Sequence, residues 1–177
     1  MKEIEIKILD IDVVDFKKRL EIAGAEFKKE VLMRRYVYFL TENGNHWIRL
    51  RDEGDKITLC VKKYSGHTID GTEEHEVDVD SFERTYELIN AMGFDVTAYQ
   101  ENKRISYKLG EAEIEIDFWP RIPPYVEIEA PTKEIVEQTV QKLGFAIKDT
   151  FALNTRFVYE KYGIDLKKIK KLKFDKF

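Results

Sequence analysis

The chain opens Met1-Lys2-Glu3-Ile4-Glu5-Ile6-Lys7-Ile8-Leu9, and the alternation in this stretch decides how the rest is read. In an extended strand successive side chains point to opposite faces. Ile4, Ile6 and Ile8 therefore share one face, and Glu3, Glu5 and Lys7 share the other. The isoleucine face requires a core. The charged face is either wet surface or a set of groups aimed at a ligand, and one short alternating segment does not separate the two.

The pattern recurs along the chain. Arg49 and Arg51 stand opposite Ile48 and Leu50, and Thr58, Cys60 and Lys62 stand opposite Leu59 and Val61. Further strand faces carry Glu74, Glu76 and Asp78; Arg104, Ser106 and Lys108; Glu113, Glu115 and Asp117; and Glu127 with Glu129. Lys7 aside, acidic strands are wholly acidic and basic strands wholly basic.

Helical stripes lie between the strands: Val13, Phe16, Leu20 and Ala23; Phe82, Tyr86, Ile89 and Met92; and Ile135, Val136, Thr139, Val140 and Leu143. Asp80 with Glu83 reads as a capping box, Thr132 as a second cap, and Gly24, Gly93 and Gly144 as helix ends. A layout of Glu-x-Glu strand, helix, glycine, then basic and aromatic strand occurs three times, ending on Arg35, Arg104 and Arg156. Its third copy predicts a strand over NTRFVYE (154–160). WPRIPPY (119–125) predicts a rigid loop, and LKKIKKLKF (166–174) a solvated helix over the sheet.

Parallel sheets give continuous apolar runs, whereas these strands alternate. The expected fold is α+β: an antiparallel, closed or nearly closed barrel of about eight strands with a polar tunnel and helices outside, one domain over residues 1–177. Charged residues are 36% of the chain, but Lys+Arg 30 against Asp+Glu 34 leaves a net charge of −4, which argues against bulk nucleic-acid binding. The single cysteine, Cys60, excludes an internal disulfide and a cysteine-based metal cluster. With neither a signal peptide nor a membrane-spanning run, a cytoplasmic protein that binds no membrane is expected.

Helices on the aliphatic side of a curved sheet turn the charged faces inward. Ten carboxylates (Glu3, Glu5, Glu74, Glu76, Asp78, Glu113, Glu115, Asp117, Glu127, Glu129) then share a lumen with Lys7, Arg49, Arg51, Lys62, Arg104 and Lys108. Dry burial of that set costs too much. Clustered carboxylate oxygens without His or Cys suit Mg²⁺ or Mn²⁺, and a facing row of Arg and Lys suits phosphate oxygens. Together they make a phosphoryl-transfer site without a P-loop. His75, between Glu74 and Glu76, points away from them. Cys60 reads as a small packing residue, and Trp47 and Trp119 as packing residues with the option of covering a nucleobase.

In this order the motifs resemble the CYTH family, the triphosphate tunnel metalloenzymes, which include class IV adenylyl cyclases, thiamine triphosphatases and inorganic triphosphatases. E-x-E-x-K (Glu3, Glu5, Lys7) resembles its signature, WIRLR its R-x-R strand, ITLCVKK its T-x-x-x-K strand, and EHEVD its central E-x-E. NKR, EIEIDFW and YVEIEA resemble the later basic and acidic strands. The resemblance implies metal ligands at Glu3, Glu5, Asp117, Glu127 and Glu129, with Glu74, Glu76 and Glu115 as supporting acids. It implies phosphate ligands at Arg49, Arg51, Lys62 and Arg104 with Lys7 beside them, and a catalytic role for Glu3, Glu5 and Lys7. The family's D-x-Y-[YF]-D segment is replaced here, with Tyr36 and Leu40 at the acidic positions, and Thr72 stands where a basic residue is common. The implied substrate is a small-molecule triphosphate: ATP, thiamine triphosphate or tripolyphosphate. Conversion of ATP to cyclic AMP is the first reading, hydrolysis the second and non-catalytic binding the third, and a homodimer is compatible with each.

Overall fold

A computed structural model describes residues 2–65 and 72–175, with residues 2, 3 and 72 described by backbone alone. The strands are β1 (Lys2–Glu3), β2 (Glu5–Ile8), β3 (Glu26–Phe39), β4 (His46–Asp52), β5 (Ile57–Tyr64), β6 (Thr72–Val79), β7 (Ala98–Leu109), β8 (Ala112–Phe118), β9 (Tyr125–Glu129) and β10 (Lys171–Leu172). The α-helices are α1 (Val13–Ala23), α2 (Phe82–Ala91), α3 (Lys133–Lys142) and α4 (Thr155–Lys161).

Strands pair in the order β6-β5-β4-β3-β7-β8-β9-β2, all antiparallel. The opening stretch brings the two ends of this path together. β2 pairs with β9, placing Glu5 opposite Glu129, while β1, one residue earlier, pairs with β6, placing Glu3 opposite Thr72. Among the described residues two residues of β1 bridge the seam, and the sheet is strongly curled but open. Aliphatic alternation sets its outer face. Ile6, Ile8, Ile105, Ile114, Ile116, Val126 and Ile128 meet Phe16 and Leu20 of α1 and Val136 and Val140 of α3. Tyr38, Ile48 and Leu50 meet Phe82 and Ile89 of α2.

The three glycines predicted to end helices have left-handed φ of 75°, 92° and 79°, where a side chain would be strained. Thr132 caps α3, accepting from the Ile135 N–H. Several local expectations fail. α2 is capped one residue later than expected, by Ser81, which accepts from the Arg84 N–H. Met92 lies just past α2 and is 58% exposed, so it leaves the predicted stripe.

NTRFVYE forms α4 rather than a strand. Asn154 caps it by accepting from the Phe157 N–H, and Val158 and Tyr159 are buried in a cluster with Trp119, Tyr125, Leu166 and Leu172. LKKIKKLKF is likewise no α-helix. A 3₁₀ turn at Leu166–Lys168 leads to β10, which pairs parallel with β7. Buried Leu166 and Leu172 are the anchors of this segment, and their six-residue spacing does not keep one face of an α-helix.

Candidate functional site: a cavity with a basic and an acidic wall

The sheet encloses a cavity of about 770 Å³. Strand order sorts its charges in a way that sequence order does not. The run β5-β4-β3-β7 contributes Lys62, Arg49, Arg51, Arg35 and Arg104; the run β8-β9-β2 contributes Glu115, Glu127, Glu129 and Glu5; and β6 adds Glu74 and Glu76. Because β6 meets β2 across the β1 seam, the acidic strands are contiguous and face a contiguous basic wall.

Lys7 is 1% exposed, with its Nζ 2.9 Å from Glu5 Oε1 and 2.7 Å from Glu127 Oε1. Burial disfavours its charge, but Glu127 and Glu5 outweigh burial and hold its proton affinity above the ordinary lysine value. Its backbone is bridged in both directions to Phe151, at 2.8 and 2.9 Å. Arg104 grips Asp117 with both arms of its fork, at 2.7 and 2.6 Å, and also donates to Glu127. Glu127 stays ionised despite burial because Lys7 and Arg104 flank it. Burial pushes Glu115 up to about 7, although Arg104 opposes it and Ser106 donates to it at 2.7 Å. Burial and the neighbouring Glu5 and Glu127 push Glu129 up to about 7.

A second ionic cluster occupies β4, β5 and β6. Arg49 donates to Glu74 at 2.9 Å and Glu76 at 3.0 Å, and Lys62 lies 2.8 Å from Glu74. Arg51 reaches Glu53 at 2.5 Å and Glu76 at 3.8 Å. Burial, then Arg49, pulls Arg51 down to about 10. Cys60 is buried as expected, and burial pushes its thiol up to about 11. Its Sγ and one oxygen each of Glu74 and Glu76 lie within 4.8 Å of one another.

The expected residues Glu5, Lys7, Arg49, Arg51, Lys62, Glu74, Glu76, Arg104, Glu115, Glu127 and Glu129 all line the cavity. The side chain of Glu3 lies outside the described residues. Asp117 is 1% exposed and held behind the wall by Arg104 and Asn102, and Asp78 is exposed. His75 is on the surface, with a side chain 76% exposed.

Glu5, Glu127 and Glu129 line one side of the cavity and offer hard oxygen donors of the kind that Mg²⁺ or Mn²⁺ takes. Glu5 and Glu129 stand directly opposite each other in the ladder, a placement that repels without a cation between. The donor chemistry fits a divalent ion, with Lys7 standing on one oxygen each of Glu5 and Glu127. Among the described residues, the group whose ligand atoms lie within 4.8 Å of one another is instead Cys60, Glu74 and Glu76.

Sequence alternation missed Arg35, Glu53, Arg156 and Lys167, all of which line the cavity. Glu53 sits in the β4–β5 turn, where period-2 alternation has no meaning. Arg156 and Lys167 arrive on the C-terminal segment. Arg156 donates to the Asn43 carbonyl at 2.6 Å and Lys167 to the Glu42 carbonyl at 3.3 Å. Between them lies Gly44 (φ 68°), where a Cβ would stand 3.0 Å from Lys167 Cε and 3.2 Å from Arg156 Nη1. The threefold layout singles out Arg35 and Arg156 beside Arg104, but it does not say which way their side chains face.

Solved structures share this architecture. The PH1012 protein of Pyrococcus horikoshii superposes with a TM-score of 0.75 at 22% identity, covering 86% of this chain and 96% of that one. A Vibrio parahaemolyticus protein described as a "putative adenylate cyclase" gives 0.74 at 16% identity, covering 90% and 98%. HpAC1 from Hippeastrum, for which a dominant triphosphatase activity is described, gives 0.57 at 16% identity, covering 94% and 99%. At these identities the likeness is one of fold. No curated protein matches the sequence. The CYTH domain model matches residues 1–152, most of the chain and every strand from β1 to β9, and this protein belongs to the CYTH family.

Proposed function

We propose that the protein is a divalent-metal-dependent enzyme acting on an organic triphosphate, of the adenylyl cyclase type. The observation that carries this reading is the division of the lumen into a basic wall on β5-β4-β3-β7 and an acidic wall on β8-β9-β2 with β6. A phosphate chain along the basic wall and a cation on the acidic wall satisfy both. Either wall alone faces a large self-repulsion. At about 770 Å³ the cavity lies in the upper part of the range for small-molecule sites, with more room than three phosphoryl groups need, which favours a substrate with an organic group.

Arg49, Arg51, Lys62 and Arg104 would hold phosphoryl oxygens, Arg through its fork and Lys as a point charge. Glu3, Glu5, Glu127 and Glu129 would supply the metal ligands, with Glu74, Glu76 and Glu115 orienting the cations around them. Asp117, held behind the wall by Arg104, would join the ligands on release from that arginine. Bound metal would neutralise developing charge on the phosphate oxygens. Lys7, already bridging Glu5 and Glu127, would stand beside the reacting phosphorus as a cation. Residues 153–177 would belong to the same domain, because Arg156 and Lys167 line the cavity.

Incubation with ATP, thiamine triphosphate and tripolyphosphate, each with and without Mg²⁺ or Mn²⁺, tests the reading by separate scoring of cyclic AMP, pyrophosphate and phosphate. Metal-dependent cyclic AMP and pyrophosphate from ATP are expected. Phosphate release without cyclic AMP would turn the reading to a triphosphatase, and survival of all three substrates would end the enzyme reading.

A further inference from the structure

On the basic wall, β3 lies between β4 and β7 and turns one guanidinium into the cavity, that of Arg35. Register puts Arg35 directly opposite Arg51 on β4, with Arg49 one diagonal step away opposite Val37, and opposite Gln100 on β7. Like charges directly opposite across a ladder destabilise it, and here the pair is also buried, with Arg35 7% exposed.

The usual remedy is an ion pair, which Arg51 has in Glu53 and Arg104 has in Asp117. Arg35 has none among the described residues. Its hydrogen bond goes from Nη2 to Oδ1 of Asn102, a neutral amide, and its buried Nε has no acceptor. Burial and the charges of Arg51, Arg49 and Arg104 pull it down to about 9. The orientation of the fork is nonetheless fixed. The Trp119 ring lies 4.7 Å from its Cζ, a cation–π contact. Asn102 in turn donates to Asp117 at 3.3 Å, tying Arg35 to the Arg104 pair.

A buried guanidinium that is held in place, lacks a counter-ion and faces a cavity is arranged for an anion that arrives from solvent. We propose that Arg35 is a further anion-binding residue of this site, whose fork takes oxygens of the phosphate chain between Arg51 and Arg104. The proposal rests on the triphosphate reading above, and it assigns to β3 a binding role that neither the strand patterns nor the family motifs give it.

The test uses the full chain, inorganic tripolyphosphate as probe, and Arg35→Met and Arg35→Lys. Titration calorimetry reads affinity, and thermal denaturation without ligand reads stability. Loss of a charge-assisted, fork-type contact should weaken tripolyphosphate binding by about 10- to 100-fold in Arg35→Met and by less in Arg35→Lys. The ligand-free melting temperature of Arg35→Met should be equal to or higher than that of the parent, because an uncompensated buried charge has gone. A purely structural arginine would give the opposite, a lower ligand-free melting temperature with affinity retained. That result, an Arg35→Met that fails to fold, or unchanged affinity would each overturn the proposal while leaving the triphosphate reading standing. Failure of the parent protein to bind tripolyphosphate or ATP would overturn both.

Discussion

Glu53 gives the sharpest test of how this cavity is held together without a ligand. Its side chain is 8% exposed, with one oxygen 2.5 Å from Arg51 and the other 3.0 Å from Lys29. Glu53→Gln keeps the shape and removes the charge. Arg51, with a side chain 12% exposed, would then keep, among the described residues, only Glu76 at 3.8 Å as an ionic partner. Breaking a buried pair from one side costs about 3–5 kcal/mol. The Lys29 contact adds little, because that lysine is 33% exposed and screened. A destabilisation of about 3 kcal/mol follows, or about 6–12 °C in Tm for a chain of this size.

The sign of the pH dependence is fixed as well. Burial raises the proton affinity of Glu53, but Arg51 and Lys29 overcome it and hold the carboxyl below its ordinary value of 4.5. Its stabilisation is therefore complete above that ordinary value and is lost as pH falls through the lower, folded-state value. Urea denaturation of parent and variant at pH 7 and again in acid should show a gap that narrows in acid. Glu53 also occupies Arg51 as a phosphate would, so tripolyphosphate should stabilise Glu53→Gln by more than it stabilises the parent. A gap below about 1 kcal/mol at pH 7, or one that does not change with pH, would refute this account.

Further predictions concern other parts of the cavity. Glu5→Gln should abolish metal-dependent turnover while circular dichroism shows the fold intact, and retained turnover would remove Glu5 from the metal site. Lys7→Met leaves Glu5 and Glu127 without their shared cation, so it should lower Tm in metal-free buffer by an amount similar to Glu53→Gln. Millimolar Mg²⁺ should recover more of that loss than it adds to the parent, and equal Mg²⁺ shifts in the two proteins would contradict the placement. Cys60, buried and with its thiol pushed up to about 11, should resist a thiol reagent at pH 8 until urea is added. Rapid labelling of the folded protein would mean that β5 opens locally.

The strands legible in the sequence are those in which one face is aliphatic and the other charged. Ile6 and Ile8 against Glu5 and Lys7, or Ile114 and Ile116 against Glu115 and Asp117, admit one orientation, and the structure adopts it. β3 escapes this logic. Tyr36 and Tyr38 pack outward beneath α2, while Val37 and Phe39 line the cavity, so both faces look apolar and alternation does not say which way Arg35 points. The C-terminal segment departs from its predicted strand for a different reason. NTRFVYE has the residue types of the earlier basic strands, but Asn154 is an effective N-cap. The buried Val158 and Tyr159 are also adjacent, which a helix can bury together and a strand would split between faces.

The division of the lumen into two walls lies further from the sequence than any single strand. Along the chain the lumen-facing charges run acidic, basic, basic, acidic, basic, acidic, acidic, from β2 through β4, β5, β6, β7, β8 and β9. That order does not define an axis. The axis appears because β3 carries the chain from β4 across to β7, and because Glu3–Glu5 spans the gap from β6 to β9. Two residues therefore have consequences beyond their own contacts. Ile4, the single residue between β1 and β2, joins the acidic strands into one wall. Arg35 joins the basic strands into the other, between Arg51 and Arg104. With no counter-ion among the described residues, a charge at Arg35 costs the empty fold stability, and an anion bound at that point would offset the cost. The opening Glu-x-Glu-x-Lys acquires its role in the same way. Glu5 and Lys7 line the cavity on the segment that also curls the sheet toward closure.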